Sequence, residues 1–160
     1  QKCAFELVTI GRFYDIFLIM STDSKHLIAD IPQKVILEHD GKVLIVCDDK
    51  GKWQLPGGRL HEGEEPIECV KREIQEELGV DVEPLRIFDV FVFTSASGTN
   101  HFAVIWICKL LGNMENIKKD GEEVRDLKLI SSAEELESLQ ESTSMWEEYK
   151  EVLKKYFNQR

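Results

Sequence analysis

Residues 58–80 read GRLHEGEEPIECVKREIQEELGV, and no other stretch constrains the fold so tightly. A glycine pair, Gly57-Gly58, leads through a short polar loop into an amphipathic helix expected over about residues 65–78. Pro66 suits the first helical turn, where a missing N–H is harmless, and Gly79 suits the stop. At about 100° per residue, Ile67, Val70, Ile74 and Leu78 fall on one apolar stripe. Glu73, Glu76 and Glu77 share the adjoining flank beside Arg72. Like charges three and four residues apart repel, by a few tenths of a kcal/mol per pair. A divalent cation would offset that repulsion, and clustered hard oxygen donors suit magnesium or manganese.

The bulk properties narrow the partners. The 160 residues fit one domain, large enough for a core without disulfide or metal staples. A net charge of −10 argues against a nucleic-acid polymer or an anionic membrane, both of which are gripped through Lys and Arg. A small phosphorylated substrate remains compatible, since a bound cation reverses the local field. Cys3, Cys47, Cys69 and Cys108 form no C-x-x-C pair and read as buried thiols of a cytoplasmic protein. The apolar run at residues 16–20 is too short for a signal core or a membrane span, and Gln1 in place of Met is expected of a processed or truncated start.

Strands are expected at residues 5–10, 13–20, 34–38, 43–47, 85–94, 101–111 and 127–130. Asp40-Gly41 is a strong hairpin signal between the third and fourth of these. Helices are expected at residues 133–139 and 144–157, the latter docking through Met145, Trp146, Tyr149, Val152, Leu153 and Tyr156. Strands on both sides of a central helix, followed by terminal helices, imply a mixed sheet between helical layers, an α/β class. Residues 1–30 are expected to extend the domain formed by residues 31–160.

The acidic segment also resembles a known family. Gly58, five residues, Glu64, seven residues, then Arg72-Glu73-Ile74-Gln75-Glu76-Glu77-Leu78-Gly79-Val80 matches the Nudix box, G-x5-E-x7-R-E-U-x-E-E-x-G-U with U a bulky aliphatic. The run Trp53-Gln54-Leu55-Pro56-Gly57-Gly58 matches the W-x-x-P-G-G approach common before that box. The resemblance extends loosely from about residue 33 to the C-terminus and implies an α/β/α sandwich with the box at the open end of the sheet. It implies a magnesium-dependent hydrolase of a nucleoside diphosphate linked to a further group, MutT-like, acting as a monomer or homodimer.

Hydrolysis of a phosphoanhydride requires neutralised phosphates, an activated water and an in-line approach. The resemblance implies Glu76 and Glu77 as metal ligands, Glu73 as ligand or base, and the carbonyl of Gly57 as a further ligand. It implies Arg72 as the residue that orients a box glutamate. Glu64 supports the helix start from behind, where a carboxylate favours the positive end of the dipole. Glu123, in a loop before the last strand, is the expected further ligand. Trp53, Gly58 and His101, with the loop at residues 95–100, are candidate substrate contacts. Phe91, Phe93, Trp106 and the stripe containing Met145, Trp146 and Tyr149 read as core, and His61 as solvent-exposed.

Substrate identity is not encoded so plainly. Residues 94–98, TSASG, hold neither the proline that marks ADP-ribose members nor the tyrosine that marks dinucleoside-polyphosphate members. A nucleoside triphosphate is the default. A non-catalytic nucleotide sensor or scaffold is the alternative, although such members generally lose box glutamates that this chain keeps. A prenyl-diphosphate isomerase of the same fold is a third possibility without support in the sequence.

Overall fold

Asp40 and Gly41 both adopt positive φ, 49° and 74°, the twist a two-residue hairpin demands. They join β1 (Gln33–His39) to β2 (Lys42–Cys47), with His39 opposite Lys42. The computed structural model describes residues 26–119, 121, 123–139 and 146–160, so the strands expected at 5–10 and 13–20 and the residue Met145 lie outside the described residues. Next in order come β3 (Trp53–Gln54), α1 (Pro66–Leu78), β4 (Asp81–Thr94), β5 (Asn100–Leu111), β6 (Asp126–Ile130), α2 (Ala133–Glu137) and α3 (Glu147–Asn158). Among these described residues no helix is long and apolar enough to cross a membrane.

The sheet is mixed. It runs β3-β2-β1-β5-β4, with β6 on the other side of β2. β1 pairs parallel with β5 through Gln33–Leu37 and then turns to β2 through Glu38 and His39. The other strand pairs are antiparallel. β4 begins at Asp81, four residues before the expected start, and runs through Pro84. Proline is tolerated there because β4 is an edge strand and its register shifts between Pro84 and Arg86.

Period-two alternation splits the core into two layers. Ile36, Val43, Ile45, Ala103 and Ile105 face Leu136 of α2 and Tyr149, Val152, Leu153 and Tyr156 of α3. Their neighbours Val35, Leu37, Leu44, Val46, Val104 and Trp106 face Val70, Ile74 and Leu78 of α1. The result is the α/β/α sandwich. Cys47, Cys69 and Cys108 are buried free thiols.

Helix α1 departs from its expected orientation. Ile67, placed on the apolar stripe, is 44% exposed, while Cys69, Glu73 and Glu77 are buried. At about 100° per residue, the buried arc is centred roughly 50° away from the stripe, toward the acidic flank. Ile67 sits in the first turn, where that rotation leaves it uncovered.

Candidate active site

The loop before α1 is pinned to the start of β1. Gln33 N–H donates to Gly58 O at 2.8 Å and Val35 N–H to Pro56 O at 2.9 Å. Gly57 takes φ 111°, and a β-carbon there would drive into the backbone carbonyl of Gln33. Only glycine fits so close to another backbone. At Gly58 a β-carbon would meet the carboxylate of Glu73, which lies flat across the bare backbone.

Two carboxylates descend from α1 into this junction. Glu73 is 8% exposed and Glu77 6%. Glu77 Oε2 accepts the Gly57 N–H at 2.7 Å. Burial raises the Glu77 pKa, and the Lys34 ammonium and the Gly57 N–H oppose the shift. Lys34 enters from β1, 6% exposed. Its Nζ donates to Gly57 O and, at 3.1 Å, to Gln54 Oε1. Burial lowers the Lys34 pKa against the fields of Glu77, Glu73, Asp48 and Glu123.

Arg72 organises the outer edge. Its guanidinium forks onto Glu64, with Nε to Oε1 at 2.7 Å and Nη2 to Oε2 at 3.0 Å. Nη1 donates to Glu73 Oε1 at 2.7 Å and to Glu76 Oε2 at 3.0 Å. The Arg72 pKa rises, chiefly through the hydrogen bond to Glu64. That bond, with the His61 backbone N–H, holds Glu64 at about 2. Glu64 thus fixes the arginine that fixes Glu73 and Glu76. Glu76 stays on the exposed flank, its side chain 59% accessible. Among the described residues no three His, Cys, Asp or Glu side chains converge into a set able to hold an ion. Glu73 and Glu76 are engaged by Arg72, and Lys34 stands on Gly57 O.

These groups border a cavity of about 420 Å³ at the end of the sheet where β1 and β5 begin and β4 ends. Its polar lining includes Lys34, Gln54, Arg59, His61 and Glu73, with the bare backbone of Gly58. Phe93, Ser95, His101, Trp146 and Tyr149 also line it, with Glu123. Phe93 and His101 stack, their centroids 4.7 Å apart and their planes 19° off parallel.

Of the expected site residues, Gly58, Glu73, His101 and Glu123 line this cavity, with Gly57 and Glu77 behind its floor. Trp53 does not reach it. The residue is 7% exposed within the α3-side core, and its neighbour Gln54 reaches the cavity instead. Phe93, Trp146 and Tyr149, expected only as core, pack against that layer and also face the cavity. Lys34 was absent from the expected site. Its signal in the sequence was a lysine at the start of β1 in phase with Ile36, which packs in the α3-side core.

Comparison with known proteins identifies the family and matches the fold. A family model described as "NUDIX domain" matches residues 34–156, and the chain belongs to that family. It is 33% identical over 87 residues to a MutT-like protein of Streptomyces ambofaciens, an alignment covering 54% of each chain. It is 28% identical over 92 residues to the 8-oxo-dGDP phosphatase NUDT18 of Mus musculus, covering 55% of this chain and 27% of that one. The chain therefore spans about a quarter to a half of these curated relatives. Among solved structures, a NUDIX hydrolase from Nitrosomonas europaea superposes with a TM-score of 0.69 at 21% identity, covering 82% of this chain and 90% of that one. At that identity the likeness shows the fold alone.

Proposed function

We propose that residues 31–160 form a magnesium-dependent hydrolase that cleaves the phosphoanhydride of a nucleoside diphosphate linked to a further group, with a nucleoside triphosphate as the default substrate. One observation carries the proposal: the Gly57 carbonyl holds a cation, the Lys34 ammonium, at the cavity wall, in the field of the buried carboxylates Glu73 and Glu77. A donor set of carboxylates and a backbone carbonyl suits a hard divalent ion. Glu73, Glu76, Glu77, Gly57 O and Glu123 would hold it. Magnesium, when bound, screens phosphate charge and lowers the pKa of a water ligand.

The chain's own residues do the rest. Arg72 holds Glu73 and Glu76 in fixed rotamers, so little ordering is required as substrate arrives. We assign Glu73 the role of base because its carboxylate lines the cavity above the bare Gly58 backbone. The aromatic wall of Phe93, Tyr149, Trp146 and His101 gives a base ring flat apolar surface, and the volume suits a nucleotide-sized ligand. The mouse relative's name makes an oxidised guanine nucleotide a priority substrate.

The test is turnover by purified protein on nucleoside triphosphates, their 8-oxo forms, ADP-ribose, dinucleoside polyphosphates and capped RNA, with and without magnesium. The expected result is metal-dependent release of a nucleoside monophosphate, lost in Glu77→Gln. No metal-dependent turnover on any substrate would overturn the proposal. Tight nucleotide binding without hydrolysis would instead identify a sensor.

A further inference from the structure

A lysine buried beside glutamates is ordinarily explained as their counterion, yet the two hydrogen bonds of Lys34 run to neutral oxygens. Nζ takes Gly57 O and Gln54 Oε1, while Glu73 and Glu77 act on it through space. This is how a cation is solvated by a carbonyl shell. Gly57 is held from both ends, its N–H by Glu77 and its C=O by Lys34. Resting on the function proposed above, we infer that Lys34 is the built-in cation of the metal-free site, filling the seat on Gly57 O that a divalent ion takes, so that metal binding and the Lys34–Gly57 hydrogen bond exclude each other.

The surroundings allow the exchange. The Lys34 backbone is fixed, opposite Ile105 in the parallel β1–β5 ladder. Only the side chain can yield, and an ammonium on a flexible four-carbon stem is suited to that. The displaced head has somewhere to go, because Lys34 lines the cavity and its Nζ already lies 5.8 Å from the centroid of the Tyr149 ring, a cation–π distance. Without either cation, Glu77 would be a buried carboxylate whose hydrogen-bond partner among the described residues is the Gly57 N–H. With both on one carbonyl oxygen, the ammonium and the divalent ion would repel each other at close range in a poorly solvated junction. The site therefore holds one cation at a time, and a divalent ion must outcompete the lysine to enter.

The test compares wild-type full chain with Lys34→Met by calorimetric and paramagnetic titration of Mn²⁺ and by thermal melting. Lys34→Met is expected to bind Mn²⁺ at least about tenfold tighter, since the competitor is gone. It is expected to melt below wild type without metal and to recover most of the difference in saturating Mn²⁺. Should the variant fail to fold without metal, wild type alone decides. The Lys34 ammonium resonance should then move as Mg²⁺ is titrated, and crystals grown with Mg²⁺ should show Nζ off Gly57 O. Wild-type binding of Mn²⁺ with no gain in Lys34→Met, or Nζ still on Gly57 O with the ion bound, overturns the inference and leaves the hydrolase intact. No Mn²⁺ binding by wild type overturns both.

Discussion

The two long helices cover opposite faces of one sheet, yet they seal those faces with different chemistry. Helix α3 buries Tyr149, Val152, Leu153 and Tyr156, and its charged groups stay outside, where Lys150 and Lys154 pair with Glu137 at 2.8 and 2.7 Å. Helix α1 buries Val70, Ile74 and Leu78 but also Glu73 and Glu77. One layer is optimised for packing. The other gives up part of its apolar contact to carry carboxylates, and burial raises the Glu77 pKa as a result. Functional groups are commonly found where such local rules are broken and compensated nearby. The compensation here comes from Lys34, Arg72 and the Gly57 backbone.

That contrast can be broken by experiment. Glu77→Gln keeps shape and removes charge, so we expect at least about a hundredfold fall in turnover with the folded circular dichroism spectrum retained. An active variant would show that the α1 layer is merely an awkward core. On the other face, Leu153→Ala removes a fully buried side chain and should cost about 2–5 kcal/mol in urea unfolding. The folded fraction should keep its wild-type specific activity. If activity fell with it, the two layers would not be separable.

Finer variants sharpen the same comparison. Gly58→Ala sets a methyl where the Glu73 carboxylate lies, and that carboxylate is the far end of a flexible chain, so the fold should survive. Turnover should drop about tenfold or more as Glu73 is displaced. The smallest expected effect is on the acid limb of stability. Glu64 is held at about 2 in the folded chain, against an ordinary 4.5. Its contribution is therefore complete above the ordinary value and is lost as pH falls toward the folded one. In Glu64→Gln the decline of Tm across that window should flatten. An unchanged slope would mean the fork to Arg72 contributes nothing to stability.

Much of the molecule was legible because its signals are local. The ends of α1 followed from Pro66 and Gly79, and the β1–β2 turn from Asp40-Gly41. The β5 and β6 strands lay within a residue of their expected bounds. Pro84 concealed the start of β4, because a proline argues against a strand until its edge position and bulge are known. Trp53 was the reverse case: its place beside the box suggested a substrate contact, and the packing of β3 buried it. Tyr149, Trp146 and Phe93 showed only that they were apolar. Nothing local told which of them would stand at the open end of the layer.

The spacing along residues 58–80 alone fixed that one helix would carry three glutamates and an arginine on a shared flank, since helical periodicity is a property of consecutive residues. Tertiary structure decided which glutamates are buried, because that depends on how far α1 rolls against the sheet. It also decided that Lys34, twenty-three residues before Gly57, would donate to that glycine's carbonyl. Contacts of that reach arise from strand register and layer packing, which no short window of sequence contains.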